Sequence, residues 1–245
     1  MLSSQEVIKE SLVVPPQNVG GKSQLEHLVK TQMLIPDKLL KAEDKVVNIF
    51  FTVTKEGKVI NPFFKDKYGE FYEKESQRLL KYFLFEPAKQ SNVALEAFGS
   101  LSFNFAPTKY KSWVKERNKY KVNLDKAQDT SFVIYEMADK SPEFYKGDDA
   151  LAEFILSNIE YPNVAKTQNI EGTVNLSFIV ETNGHTSNVK VLKGVGGGCS
   201  EEAVRVINLI RWKPAEKNGK LVRYKMNYPI TFNLKIVNKD ATNND

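Results

Sequence analysis

The sequence predicts an α+β protein built from two tandem copies of one small unit, each a three-stranded antiparallel sheet with two helices on one face. Three observations predict it. The first is an internal repeat: Val46 to Val53 aligns with Thr173 to Val180, Gly57 falls on Gly184, and the offset of 127 continues through Arg78 and Arg205, Phe85 and Trp212, and Pro87-Ala88 and Pro214-Ala215. The second is strict alternation of Val174, Leu176, Phe178 and Val180 with Thr173, Asn175, Ser177 and Ile179, followed by an Asn183-Gly184 turn, which is a hairpin signature. The third is the helical period of Ala203, Val206, Ile207 and Ile210.

The elements follow in order within the second copy. Asp148 or Asp149 starts a helix whose apolar face is Leu151, Phe154 and Ile155, and Tyr161-Pro162 ends it. The hairpin comes next, with Val189 and Val191 on its return strand. After the glycine-rich stretch 194–198, Ser200 and Glu201-Glu202 suit the first turn of a second helix, because acidic groups complement a helix N-terminus. The last strand alternates Val222, Tyr224, Met226 and Tyr228 with Leu221, Arg223, Lys225 and Asn227, and Pro229 interrupts it. A proline has no N–H to give a central ladder, so this strand is expected at a sheet edge. Upstream of the hairpin the repeat offset becomes 126, with Leu25 on Leu151, Pro36 on Pro162 and Gly21 on Gly147. The repeats cover about 16–107 and 142–236, and the expected division is a first domain over 1–107, a connector over 108–128, a second domain over 129–237 and a polar tail over 238–245.

Composition narrows the function. With 245 residues, 41% hydrophobic, the chain is long enough for two cores. One cysteine, Cys199, and two distant histidines, His27 and His185, build neither a disulfide framework nor a tetrahedral metal site. No apolar run approaches the ~20 residues of a membrane-spanning helix. The net charge of +5 resides in the segment Thr108 to Lys121, where Lys109, Lys111, Lys115, Arg117, Lys119 and Lys121 stand against only Glu116. So local an excess argues against nucleic-acid binding, which spreads basic residues over a folded face. Those six residues form a candidate contact for an anionic surface. Trp113, Arg117 and Tyr120 recur at i, i+4 and i+7, which reads as a short helix packed on one side with its lysines solvated. No nucleophile triad, metal motif or nucleotide fingerprint is present, so no enzyme activity, cofactor or small-molecule substrate is expected. The glycines read as a strand-to-helix turn, Cys199 as a small packing residue, Trp212 as core, and His185 as a solvated turn residue. The N-terminus, Met1 to Glu6, lacks a basic region followed by an apolar stretch. That fits a cytoplasmic protein, or a mature form whose signal or anchor has been removed.

Tyr161-Pro162, Gly172, Phe178-Ile179-Val180, Asn183-Gly184, Glu202-Ala203-Val204, Trp212-Lys213-Pro214 and Pro229-Ile230-Thr231-Phe232, in that order, resemble the TonB C-terminal domain. Gly196 to Ala203, Arg211 to Ala215, Asn218-Gly219-Lys220 and the lead-in Pro142 to Gly147 are similar to the Bacteroidota versions. The first copy is degenerate, with Phe85 in place of the tryptophan and no counterpart to Gly172. The resemblance implies a non-catalytic periplasmic module, associated with the outer membrane. Its partner would be a protein, an outer-membrane receptor or an envelope complex, bound by adding a peptide strand to the sheet edge at Val222, Tyr224, Met226 and Tyr228, in connection with TonB-dependent transport. Transducers of this family carry an inner-membrane anchor and a proline-rich span that these residues do not show, so a structural adaptor without energy transduction is the alternative expectation. Richer side chains on the last strand of the second copy, against the alanines and glycine of Val93 to Ser100, assign the peptide interaction to the second copy.

Overall fold

The computed structural model describes residues 13–119, 122 and 124–234. The polar tail 238–245, Tyr120 and Lys121 lie outside the described residues. The fold is α+β. In chain order the first half comprises α1 (Gly21–Gln32), β1 (Lys45–Val53), β2 (Val59–Phe63), α2 (Glu70–Leu80), β3 (Ala88–Gln90), β4 (Val93–Leu95) and β5 (Ala97–Phe105). α3 (Pro107–Arg117) follows the first half, and β6 (Ile134–Tyr135) precedes the helices of the second. The second half comprises α4 (Asp149–Asn158), α5 (Asn163–Thr167), β7 (Gly172–Val180), β8 (Thr186–Lys193), α6 (Cys199–Leu209), β9 (Ala215–Lys217) and β10 (Lys220–Phe232).

Two antiparallel sheets organise these elements, in the order β2-β1-β5 and β8-β7-β10-β9. Their registers correspond. Lys45 pairs with Phe105 and Val53 with Ala97, while 127 residues later Gly172 pairs with Phe232 and Val180 with Tyr224. The small hairpins correspond as well, Ala88 opposite Leu95 and Ala215 opposite Val222. Asn61 and Asn188 share a left-handed backbone, φ 52° and 51°.

Each half has its own core. Alternation puts Val174, Leu176, Phe178 and Val180 on one face of β7, where they meet the stripe Ala203, Val206, Ile207 and Ile210, all buried. Full burial of one Val or Ile side chain contributes roughly 1.5–3 kcal/mol, so this stripe fixes α6 on the sheet. Trp212 is 1% exposed in that core, and Cys199 is buried at the start of α6, where burial raises its thiol pKa. In the first half Val47, Ile49, Phe51 and Val53 pack with Leu79, Phe83, Phe85 and Phe103. The opposite faces carry exposed residues such as Lys225, Asn227, Pro229 and Thr231.

Three expectations are corrected. Pro229 does not interrupt the last strand: it sits opposite Asn175 inside a continuous β10. A five-residue helix, α5, follows Pro162; it is too short to show a period in sequence. His185 is not solvated but 7% exposed, because α1 of the first half packs beside the hairpin that carries it.

The contact between the halves is polar. The turn residue Asn183 and Gln32 exchange amide hydrogen bonds of 3.0 and 3.2 Å, and Asn183 also donates to the Thr31 carbonyl. His27 Nε2 lies 3.1 Å from the Thr186 carbonyl oxygen. Asn188 accepts from the Leu84 N–H at 2.8 Å and donates to the Tyr82 carbonyl at 2.8 Å.

Candidate protein-binding edge

A strand receives an added peptide only where its backbone groups are unpaired, so the site is defined by which edges the chain itself covers. On one side of the second sheet, the Val189 N–H donates to Gln24 Oε1 of α1 at 3.2 Å. A Cβ on Gly20 would stand 2.6 Å from the Val189 carbonyl oxygen, so backbone presses against this edge too. The first part of the β8 edge, Thr186 to Val189, is therefore capped by the first half.

On the other side, β10 is covered at its start. Residues 220–222 pair with β9, and Arg223 and Tyr224 pair in parallel with Ile134 and Tyr135 of β6. Tyr224 donates its hydroxyl to the Glu136 carbonyl at 2.9 Å, and Lys225 pairs with the Glu136 carboxylate at 2.7 Å. From Lys225 to Phe232 the strand is paired with β7 on one side, and among the described residues nothing pairs with it on the other. Pro229 lies in this stretch, where its missing N–H leaves no gap in a two-sided ladder.

The four predicted edge residues thus separate into two pairs. Val222 is buried and opposite Ala215, and Tyr224 is opposite Tyr135, so neither offers a free backbone edge. Met226 and Tyr228 lie on the open stretch, half-buried against the core. Sequence reasoning missed the covering segment, Ile134 to Glu136; its one local signal is the run Val133-Ile134-Tyr135, two β-branched residues and an aromatic.

In the first sheet β5 is also an edge strand, with Phe98 78% exposed. Gly99 lies opposite Phe51, and a Cβ there would stand 2.8 Å from the Phe51 ring, which explains why glycine occupies this strand position.

The connector lysines Lys109, Lys111, Lys115 and Lys119 are exposed, and Tyr110 and Trp113 pack on the first core. Arg117 departs from the solvated set. Its Nε donates to the Lys30 carbonyl at 2.5 Å and its Nη1 to the Met33 carbonyl at 2.8 Å, at the C-terminal end of α1, where a cation is favoured. Lys121 lies outside the described residues.

The family model of the Gram-negative bacterial TonB protein C-terminal region matches residues 157–234, from the end of α4 to just past β10. Residues 157–234 are thus similar to the TonB C-terminal domain family. TonB C-terminal domains are periplasmic, non-enzymatic protein-interaction modules. Two solution structures of the Helicobacter pylori TonB C-terminal domain are similar to part of this chain: one at 24% identity over 35% of this chain and 78% of that one, TM-score 0.28, the other at 25% identity over 36% and 92%, TM-score 0.27. No curated protein matches the chain. No helix among the described residues is long and apolar enough to cross a membrane.

Proposed function

We propose that the chain is a non-catalytic periplasmic module that takes an extended segment of an outer-membrane or envelope protein onto the Lys225–Phe232 edge of β10. One observation carries the reading: β10 is open there, while its own start is covered by β9 and β6 and the first part of the opposite edge of the sheet is capped by α1. Backbone hydrogen bonds supply affinity in such β-augmentation, and side chains at alternate positions, here Met226 and Tyr228 on one face and Asn227 and Thr231 on the other, select the sequence. The first half is a divergent copy of the same unit. Its shared registers support this, and it positions the second half by capping the first part of β8. The exposed lysines of α3 provide a contact for an anionic envelope surface. Participation in TonB-dependent transport is the functional setting proposed.

A second reading, a rigid adaptor without energy transduction, is favoured by the capped first part of the β8 edge, since covering an edge with the other half suits a scaffold. The two are separated by hydrogen exchange on the full chain with an envelope protein captured on it. Strand addition protects the outward-facing amides within 225–232, which β7 does not bond. Of the adjacent variants Met226→Pro and Asn227→Pro, the one that removes an outward-facing N–H abolishes capture with the fold intact. Capture that leaves those outward-facing amides unprotected would overturn strand addition and leave the adaptor.

A further inference from the structure

A cavity of about 460 Å³ opens between the halves, walled by α1 and α3 on one side and by α4 and residues 208–211 on the other. Its charged groups are mostly basic, Lys30, Arg117, Lys119 and Arg211 against the one carboxylate Glu116 among the described lining residues, and His27 and His185 lie beside them.

Three residues of this lining, Arg211, His185 and Arg117, hold buried ring or guanidinium nitrogens that find no hydrogen-bond partner among the described residues. Arg211 is 7% exposed, yet its Nε and Nη1 have no hydrogen-bond partner. His185 is also 7% exposed, with its Nε2 unpartnered. Arg117 spends Nε and Nη1 on the carbonyls of Lys30 and Met33, which fixes the guanidinium and leaves Nη2 buried without a partner. Among the described residues Lys30, Arg117 and Arg211 form no ion pair. A buried guanidinium without a counter-charge is costly, and each buried donor left unmade costs about 1–3 kcal/mol. A guanidinium donates and never accepts, so what is missing is a group with several acceptor oxygens and negative charge. Trp113 and Phe154 supply the apolar remainder of the wall, and the volume exceeds what a bare oxyanion fills.

We propose that this cavity binds a small soluble organic oxyanion with at least two negative charges, of the phosphorylated or polycarboxylate class, held by Arg211, Arg117 and Lys30 with the two imidazoles beside them. Because the lining comes from both halves, the bound anion would also brace them against each other. No reaction is involved; the site is for binding.

The full chain is titrated calorimetrically with inorganic phosphate, pyrophosphate and citrate in dilute chloride buffer. The imidazole carbon-bound proton signals of His27 and His185, the only two histidines, are followed by NMR in the same titrations. The expected result is one saturable site with Kd below about 1 mM for pyrophosphate or citrate. Both imidazole signals should move and titrate at higher pH when the site is filled, as an added negative charge favours the imidazolium. Arg211→Gln should abolish binding. Because that variant removes a buried side chain, the exposed Lys30→Gln serves as the second test and should weaken binding about tenfold. No saturable heat and no imidazole shift with any of the three anions up to about 10 mM would overturn the proposal. Binding unchanged in Lys30→Gln with still imidazoles would overturn it too, and would place the anion on the α3 lysines.

Discussion

Arg223 and Glu181 form a buried bidentate ion pair, Nε to Oε2 at 2.8 Å and Nη2 to Oε1 at 2.9 Å, with side chains 4% and 0% exposed. The guanidinium also donates to the carbonyls of Tyr82 and Phe132, each at 3.1 Å. The carboxylate receives the Ser187 hydroxyl as well. One residue of β10 thus ties the second sheet to the chain that leaves α2 and to the segment just before β6. Arg223→Met leaves Glu181 buried without its partner and is expected to destabilise the protein by about 3–5 kcal/mol in urea denaturation. Adding Glu181→Leu should restore most of the loss. A double variant no better than the single would show that the carbonyl contacts, not the charge pair, dominate.

Acid should loosen the contact between the halves. Burial holds His27 down at about 4, opposed by its hydrogen bond to Thr186 and aided by Lys30. Burial, then the charges of Arg211, His27 and Arg117, hold His185 down at about 2. A histidine with a depressed folded pKa binds its proton more readily when unfolded. Its contribution is complete above the ordinary value of 6.5 and is lost as pH falls towards the folded value. Each should remove about 1.4 kcal/mol per pH unit below 6.5, roughly 3 kcal/mol for His27 by pH 4. Melting temperatures in chloride buffers should fall steeply from pH 6.5 to 4, and His27→Gln or His185→Gln should flatten that slope. An unchanged slope in both variants would assign the acid sensitivity to carboxylates.

The hairpin turns make a sharper test of equivalence between the halves. Gly184 has φ 78°, and a Cβ there would stand 2.2 Å from the Trp212 carbonyl oxygen; Gly57 has φ 79°, with the Phe85 carbonyl oxygen at 2.4 Å. Gly219 has φ 73° and open space. Alanine at Gly219 should cost only the left-handed strain, about 1–2 kcal/mol. Alanine at Gly184 or Gly57 must also displace backbone and should cost about 3 kcal/mol or more by denaturation. Equal losses at all three positions would contradict the close approach.

These glycines, the alternation of β7 and the stripe of α6 were legible in the sequence because each is enforced by neighbours a few residues away. The polar contact between halves was not. His27 meets Thr186 and Gln24 meets Val189 across more than 150 residues, and a polar contact leaves no apolar period to read. Arg223 stands at an outward-reading place in an alternating strand, yet it is buried because another part of the chain packs there. For the same reason the strand reads as an edge throughout from Val222 to Tyr228, although β9 and β6 close its first part.

Glu75 accepts the Leu34 N–H at 2.7 Å and holds Arg78, whose Nη2 reaches the Gln32 carbonyl at the end of α1. Glu202 accepts the Glu160 N–H at 2.5 Å and holds Arg205, whose Nη2 reaches the Asn158 carbonyl at the end of α4. In each half one buried carboxylate therefore fastens the chain leaving the first helix to the second helix. Glu75→Ala and Glu202→Ala orphan a backbone N–H and a guanidinium and should each cost about 2–3 kcal/mol, whereas Gln keeps an acceptor oxygen and should cost about half as much. The two sites share no partner, so in a chain that unfolds as one unit their losses add within about 0.5 kcal/mol. The ion pair of Arg223 and the polar contact around it predict such a single transition. If instead Glu75→Ala lowers one calorimetric peak and Glu202→Ala another, the halves unfold independently, and the contact between them is weaker than its buried hydrogen bonds imply.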